Sequence, residues 1–165
     1  MKIRTLFAIG LSVLSLTSHA AEIEFERVVL LQPDFILQER GMKVEEFARF
    51  IKSAQDATTN AWKTSKLPAS SGFVVVAVRE GGKVNAWLDV QPEVPAAAET
   101  KAIQAVRSLV PFNVSHGTVL FALQFSTGGA KAKADAMPNP KEWRAVAKTQ
   151  TGPVEAEHLV KLVWP

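Results

Sequence analysis

The stretch GFVVVAVREGGKVNAWLDV, Gly72 to Val90, limits most what this chain can become. Val74 to Val78 is dense in β-branched residues, and Glu80-Gly81-Gly82-Lys83 supplies a turn whose two glycines tolerate positive φ. Val84 to Val90 then alternates, with Val84, Ala86, Leu88 and Val90 on one side and Asn85, Trp87 and Asp89 on the other. The pattern predicts a β-hairpin with one core face and one partly wet face. On that wetter face Trp87 is expected to cover a cross-strand neighbour rather than to recognise a ligand.

The start of the chain sets a compartment. Lys2 and Arg4 precede an apolar run from Leu6 to Leu16, and Ser18-His19-Ala20 carries small residues where a signal peptidase reads. Residues 1–20 are therefore predicted to be a cleaved signal peptide, and the mature protein is expected in the periplasm. The run falls short of the ~20 apolar residues that cross a bilayer, and no later segment reaches that length, so no stable membrane span is expected after cleavage. With no cysteine in the sequence, disulfides and cysteine-linked lipid are excluded. Of 19 basic and 16 acidic side chains the leader removes only Lys2 and Arg4, leaving a net charge near +1. Nucleic-acid binding is not expected, because Lys131 and Lys133 form the densest basic cluster and no aromatics interleave with it.

Residues 21–165 have the size of one ordinary domain, with no internal repeat. Ile23 and Phe25 alternate with Glu22, Glu24 and Glu26 before Val28 to Leu31, which predicts a short strand stopped by Pro33. From Val44 the period changes: Val44, Phe47, Ile51, Ala54, Thr58 and Ala61 recur every three or four residues, widened by Phe50 and Ala57. Opposite them lie Glu45, Arg49, Lys52 and Asp56, so an amphipathic helix is expected to about Lys63. A second helix is predicted over Ala96 to Val110, with Ala102, Ile103, Val106, Leu109 and Val110 on one side and Pro111 ending it. Thr118 to Phe125 reads as another strand, whose Val119, Phe121, Leu123 and Phe125 alternate with Thr118, Leu120, Ala122 and Gln124. Residues 126–140 are Gly-, Ala-, Lys- and Pro-rich and are expected to be a flexible loop. In the C-terminal segment 141–165, Trp143 is expected to pin Pro140 to Lys148 onto the core. Pro153 to Trp164 reads as a terminal helix presenting Ala156, Leu159, Val160 and Val163, with a strand over Leu159 to Trp164 as the alternative. The fold class expected is α+β, a small, mostly antiparallel sheet with amphipathic helices packed on one face.

The segments VEEFARFIKSAQDATTNAWK, GFVVVAVREGGKVNAWLDV, AAAETKAIQAVRSLVPF and GTVLFALQF occur in an order that resembles the carboxy-terminal domain of TolA and, more loosely, of TonB. The resemblance covers about Val44 to Phe125. It rests on the strand, glycine turn and strand, on Ala102 to Arg107, and on Pro111. It implies a periplasmic protein-interaction domain, without cofactor, that binds an envelope protein by strand addition to an open sheet edge. The matching edge would be Thr118 to Phe125, with Thr118, Leu120, Ala122 and Gln124 as partner-binding residues. The long spacer of a force-transmitting protein has no counterpart here, and the resemblance does not carry that role.

Catalytic chemistry finds little material. His116 and His158 lie far apart, and there is neither a cysteine nor a Gly-x-Ser-x-Gly elbow, so no nucleophilic triad or zinc site can be assembled and no enzyme is expected. Ser115-His116-Gly117 is a loop pair not expected to form a nucleophile and base, and Asp89 with Glu93 are expected to be solvated acids rather than a glycosidase pair. Asn113-Val114-Ser115 fits a glycosylation acceptor only on a eukaryotic route. The function expected is a soluble periplasmic interaction module. The alternatives are a small-molecule or lipid carrier, with a pocket lined by Phe47, Phe50, Trp62 and Phe121, and an inhibitor or immunity-type protein that binds through loops.

Overall fold

The computed structural model describes residues 22–165, so the predicted leader and its cleavage point after Ala20 lie outside the described residues. The chain forms β1 (Ile23–Leu30), α1 (Asp34–Glu39), α2 (Val44–Trp62), β2 (Ser70–Arg79), β3 (Lys83–Gln91), α3 (Ala96–Arg107), β4 (Thr118–Thr127), α4 (Lys141–Ala147) and α5 (Ala156–Val163). The four strands make one antiparallel sheet in the order β1-β4-β2-β3, an α+β architecture as expected. Between β2 and β3 the turn Glu80–Gly82 closes with Gly81 at φ 73° and Gly82 at φ 71°, the left-handed region that glycine enters without a Cβ clash. Both remaining connections cross a strand: α1 and α2 carry the chain from β1 past β4 to β2, and α3 carries it from β3 past β2 to β4.

The face of Val74, Val76, Val78, Ala86, Leu88, Val119, Phe121, Leu123 and Phe125 packs under α2 and α3. On α2 the buried stripe is Phe47, Phe50, Ala54, Thr58 and Trp62, close to the periodicity in the sequence, although Val44 at its first turn is exposed. Trp62 donates its indole N–H to Ala98 O at 2.8 Å, which fastens α2 to α3 without stranding a polar atom in the core. On α3 the helix stops at Arg107 rather than running to Val110, whose side chain is 91% exposed. Pro111 disfavours the helical conformation at the residue before it, and so turns Val110 out of the helix.

The expectation of helices on one face is corrected by the chain's C-terminal third. Trp143 of α4 and Leu159 and Val160 of α5 cover the opposite face, over Phe73, Val75, Ala77, Trp87, Leu120 and Ala122. Trp87 meets Trp143 at a ring distance of 5.7 Å and Trp164 at 6.5 Å, so the hairpin face expected to be partly wet is covered over Trp87, while Asp89 beside it keeps partial exposure. Alternation along the hairpin reported two faces correctly, but a face can be covered by chain that is distant in sequence. The terminal helix and the pinning role of Trp143 are both as expected. The loop after β4 has little regular structure, yet it is tied to the sheet. Gln124 Nε2 donates to Lys133 O at 2.8 Å, and Asn139 N donates to Asp89 Oδ2 at 2.7 Å.

The burial pattern separates two substitutions by size. Phe121→Ala, at a wholly buried position among Phe47 and Phe50, is expected to lower the unfolding free energy by about 3–5 kcal/mol in a denaturant titration. Val110→Ala is expected to change it by less than about 0.5 kcal/mol.

Candidate functional site

The four residues expected to bind a partner do not lie on an edge. β4 pairs with β2 along its whole length and with β1 on its other side, and all ten of its side chains are buried. Thr118, Leu120, Ala122 and Gln124 are between 0% and 2% exposed and face the layer made by the C-terminal helices. The Gln124 carboxamide is occupied as well, accepting from Arg27 Nε and donating to Lys133 O. Strand addition along Thr118 to Phe125 is thereby ruled out: the period-2 pattern identified a strand, but strand order is a tertiary property and alternation carries no trace of it.

The outer strands are β1 and β3, and they differ. On β3 the backbone of Ala86 is capped by side chains: Asn85 Oδ1 accepts from Ala86 N at 2.9 Å, and Arg107 Nη2 donates to Ala86 O at 3.3 Å. That side of the sheet is shielded by α3, which packs along β3. On β1, Leu31 N donates inward to Leu120 O at 3.2 Å. Strict alternation then turns the N–H and C=O of Leu30 and Val28 away from β4. Among the described residues no side chain takes up those outward groups. Val28 and Leu30 are 37% and 38% exposed, and Glu22, Glu24 and Glu26 are exposed beside them. A bulge between Phe25 and Arg27 bends the strand, a common guard on an open edge. Arg27, the cation of this strand, turns back onto the sheet, where its guanidinium donates to Gln124 Oε1 and, at 2.7 Å, to Ala136 O.

Where β1 ends, a side chain continues its pairing. Gln32 Oε1 accepts from Leu120 N at 2.9 Å and its Nε2 donates to Thr118 O at 2.9 Å, so its carboxamide stands in for a further peptide unit beside β4. Arg40, just after α1, donates from Nη1 to the same Thr118 O and from Nη2 to Glu157 Oε2 at 2.7 Å. Burial alone would raise the Glu157 carboxyl, but the hydrogen bond and charge of Arg40, with Lys161 at 3.5 Å, hold it below its ordinary value of 4.5. This clasp joins the β1–α2 connection, the start of β4 and α5.

Beside it lies a cleft of about 530 Å³, lined by Leu30 and Leu31 at the end of β1, by Met137 and Pro138, and by Trp143 and Leu159 from the covering helices. Its volume falls in the range of small-ligand sites. Trp143 is 2% exposed and its indole N–H has no acceptor among the described residues. The pocket expected among Phe47, Phe50, Trp62 and Phe121 is filled by the rings themselves: Phe47 meets Phe121 edge-on at 4.9 Å, and Trp62 meets Phe125 at 5.2 Å.

The other candidates have structural roles. Ser115 Oγ does reach His116 Nδ1, at 3.1 Å, against expectation, but the pair is exposed and no carboxylate hydrogen-bonds the ring among the described residues. Asp89 holds the loop after β4 through Asn139 N and Arg144 Nη1 and is not a free catalytic acid. No group of three or more metal-ligating side chains occurs among the described residues. Nor is any helix there long and apolar enough to cross a membrane. Comparison with protein families, curated proteins and solved structures finds no match to this chain.

Glu157→Gln is expected to cost about 2 kcal/mol at neutral pH, because Arg40, only 11% exposed at its side chain, loses its counter-ion. A carboxyl held below its ordinary value stabilises the fold above that value and loses this contribution as pH falls through the lower, folded-state value. The stability gap between wild type and Glu157→Gln, measured by urea titration across pH, should therefore be full at pH 7 and narrow as the pH drops below about 4.5.

Proposed function

We propose that the protein is an exported, periplasmic interaction module that takes an extended segment of an envelope protein as an added strand along β1. The observation that carries this reading is the difference between the two outer strands: Ala86 on β3 has both backbone groups capped by side chains, whereas among the described residues nothing takes up the outward groups of Val28 and Leu30. The leader pattern in residues 1–20 supports the compartment, and the resemblance of residues 44–125 to TolA and TonB domains supports the mode of binding. Neither support requires a cofactor. The partner segment is cationic, because the exposed Glu22, Glu24 and Glu26 lie along the open strand while Arg27, the cation within β1, is held on the sheet by Gln124 and Ala136.

Photo-crosslinking in the native compartment tests this directly. A photoreactive residue at Glu24 is expected to trap one partner that the same residue at Lys52, on the solvent side of α2, does not. Val28→Pro deletes an outward N–H and leaves the inward ladder to β4 intact, so it should abolish capture while shifting the melting temperature only slightly. Equal capture at Glu24 and Lys52, or capture undiminished by Val28→Pro, would sink the edge reading.

A further inference from the structure

The open edge and the cleft are neighbours. Leu30 is the last residue of β1 and also part of the cleft wall, and the chain passes directly from it through Leu31, Gln32 and Pro33, all of which line the cleft. A segment paired antiparallel to β1 runs opposite to it, so its amino-terminal end lies at Leu30, over the cleft mouth.

Resting on the proposed edge pairing, we infer that the cleft between the end of β1 and the α4–α5 layer is an anchor pocket for one large apolar side chain at the amino-terminal end of the cationic partner segment. Two features match that occupant. The lining residues carry no charge, and Leu31, Met137, Pro138 and Leu159 offer an apolar wall suited to an aromatic or long aliphatic side chain. The acidic residues lie along β1 and not in the cleft, which separates the site into a strand that selects cations and an end that selects bulk. Edge pairing by itself reads little sequence, since its hydrogen bonds are made by backbone common to every peptide. An anchor pocket at a fixed distance along the strand supplies both register and selectivity.

The experiment pans a library of displayed random short peptides on three immobilised proteins of residues 21–165: wild type, Ala156→Phe, which fills the cleft, and Val28→Pro, which blocks the edge. Wild type is expected to enrich peptides in which basic and apolar residues alternate after an amino-terminal aromatic or long aliphatic residue. Ala156→Phe is expected to retain the basic alternation and lose the terminal anchor, and Val28→Pro to enrich neither. For a wild-type winner resynthesised with alanine at the anchor, affinity should fall about tenfold on wild type and hardly change on Ala156→Phe. Urea midpoints close to wild type for both variants establish that the fold is kept.

Basic alternation without an anchor would overturn the pocket and leave the edge reading standing. No enrichment on wild type would overturn both. If N-acetylphenylalaninamide alone competes as well as the winning peptide, or if anchored peptides survive Val28→Pro, the cleft is a small-molecule site and the inference is wrong.

Discussion

The burial of β4 on every side is the constraint on which the rest of the structure depends. Its neighbours β1 and β2, with Gln32 and Arg40 at its start, take its backbone hydrogen bonds, Phe121, Leu123 and Phe125 face α2 and α3, and Leu120 and Ala122 face α4 and α5. A strand apolar on both sides cannot leave either face wet without exposing several large side chains, each worth about 1.5–3 kcal/mol when buried. Two covering layers are therefore required. The C-terminal third, which looks like an appendage in the sequence, is the second of them, and the three-tryptophan contact of Trp87, Trp143 and Trp164 is its seal.

Centrality of β4 also decides where interaction is open. A four-stranded sheet has two edges, and the chain treats them differently. β3 lies beside α3 and has its Ala86 backbone capped by Asn85 and Arg107, while among the described residues β1 is guarded by a bulge and by acidic side chains. At the end of β1 the ladder passes to the Gln32 carboxamide, and Arg40 and Glu157 then lock α5 over the same place. The clasp and the cleft are thus built from the same junction of amino-terminal and carboxy-terminal segments. The geometry of that junction depends on segments from the start and the end of the described chain folding together.

Legibility in the sequence followed the range of the interactions involved. The hairpin was readable because Gly81-Gly82 and the alternation beside it are local chemistry, and α2 and α5 were readable because their apolar stripes recur at the helical period. The six-residue α1 is too short to build a period and leaves no mark in the sequence. The sheet edge is illegible for a different reason: Thr118, Leu120, Ala122 and Gln124 look alike in sequence whether their strand is central or outermost. Asp89 leaves no sign of its role as a loop anchor, because Asn139 meets it only after the chain has passed through α3 and β4, and Gln124 leaves none because the loop that brings Lys133 back to it has no periodic pattern.

By itself the sequence determined the identities and faces of the elements, the lack of any disulfide and the poverty of catalytic groups, since each of these is set by residue type and near-neighbour spacing. The tertiary structure alone decided the strand order, the second covering layer, the choice of β1 over β4 as the open edge, and the cleft beside it. Those depend on which distant segments meet, and contact across the sheet leaves no periodic mark along the chain.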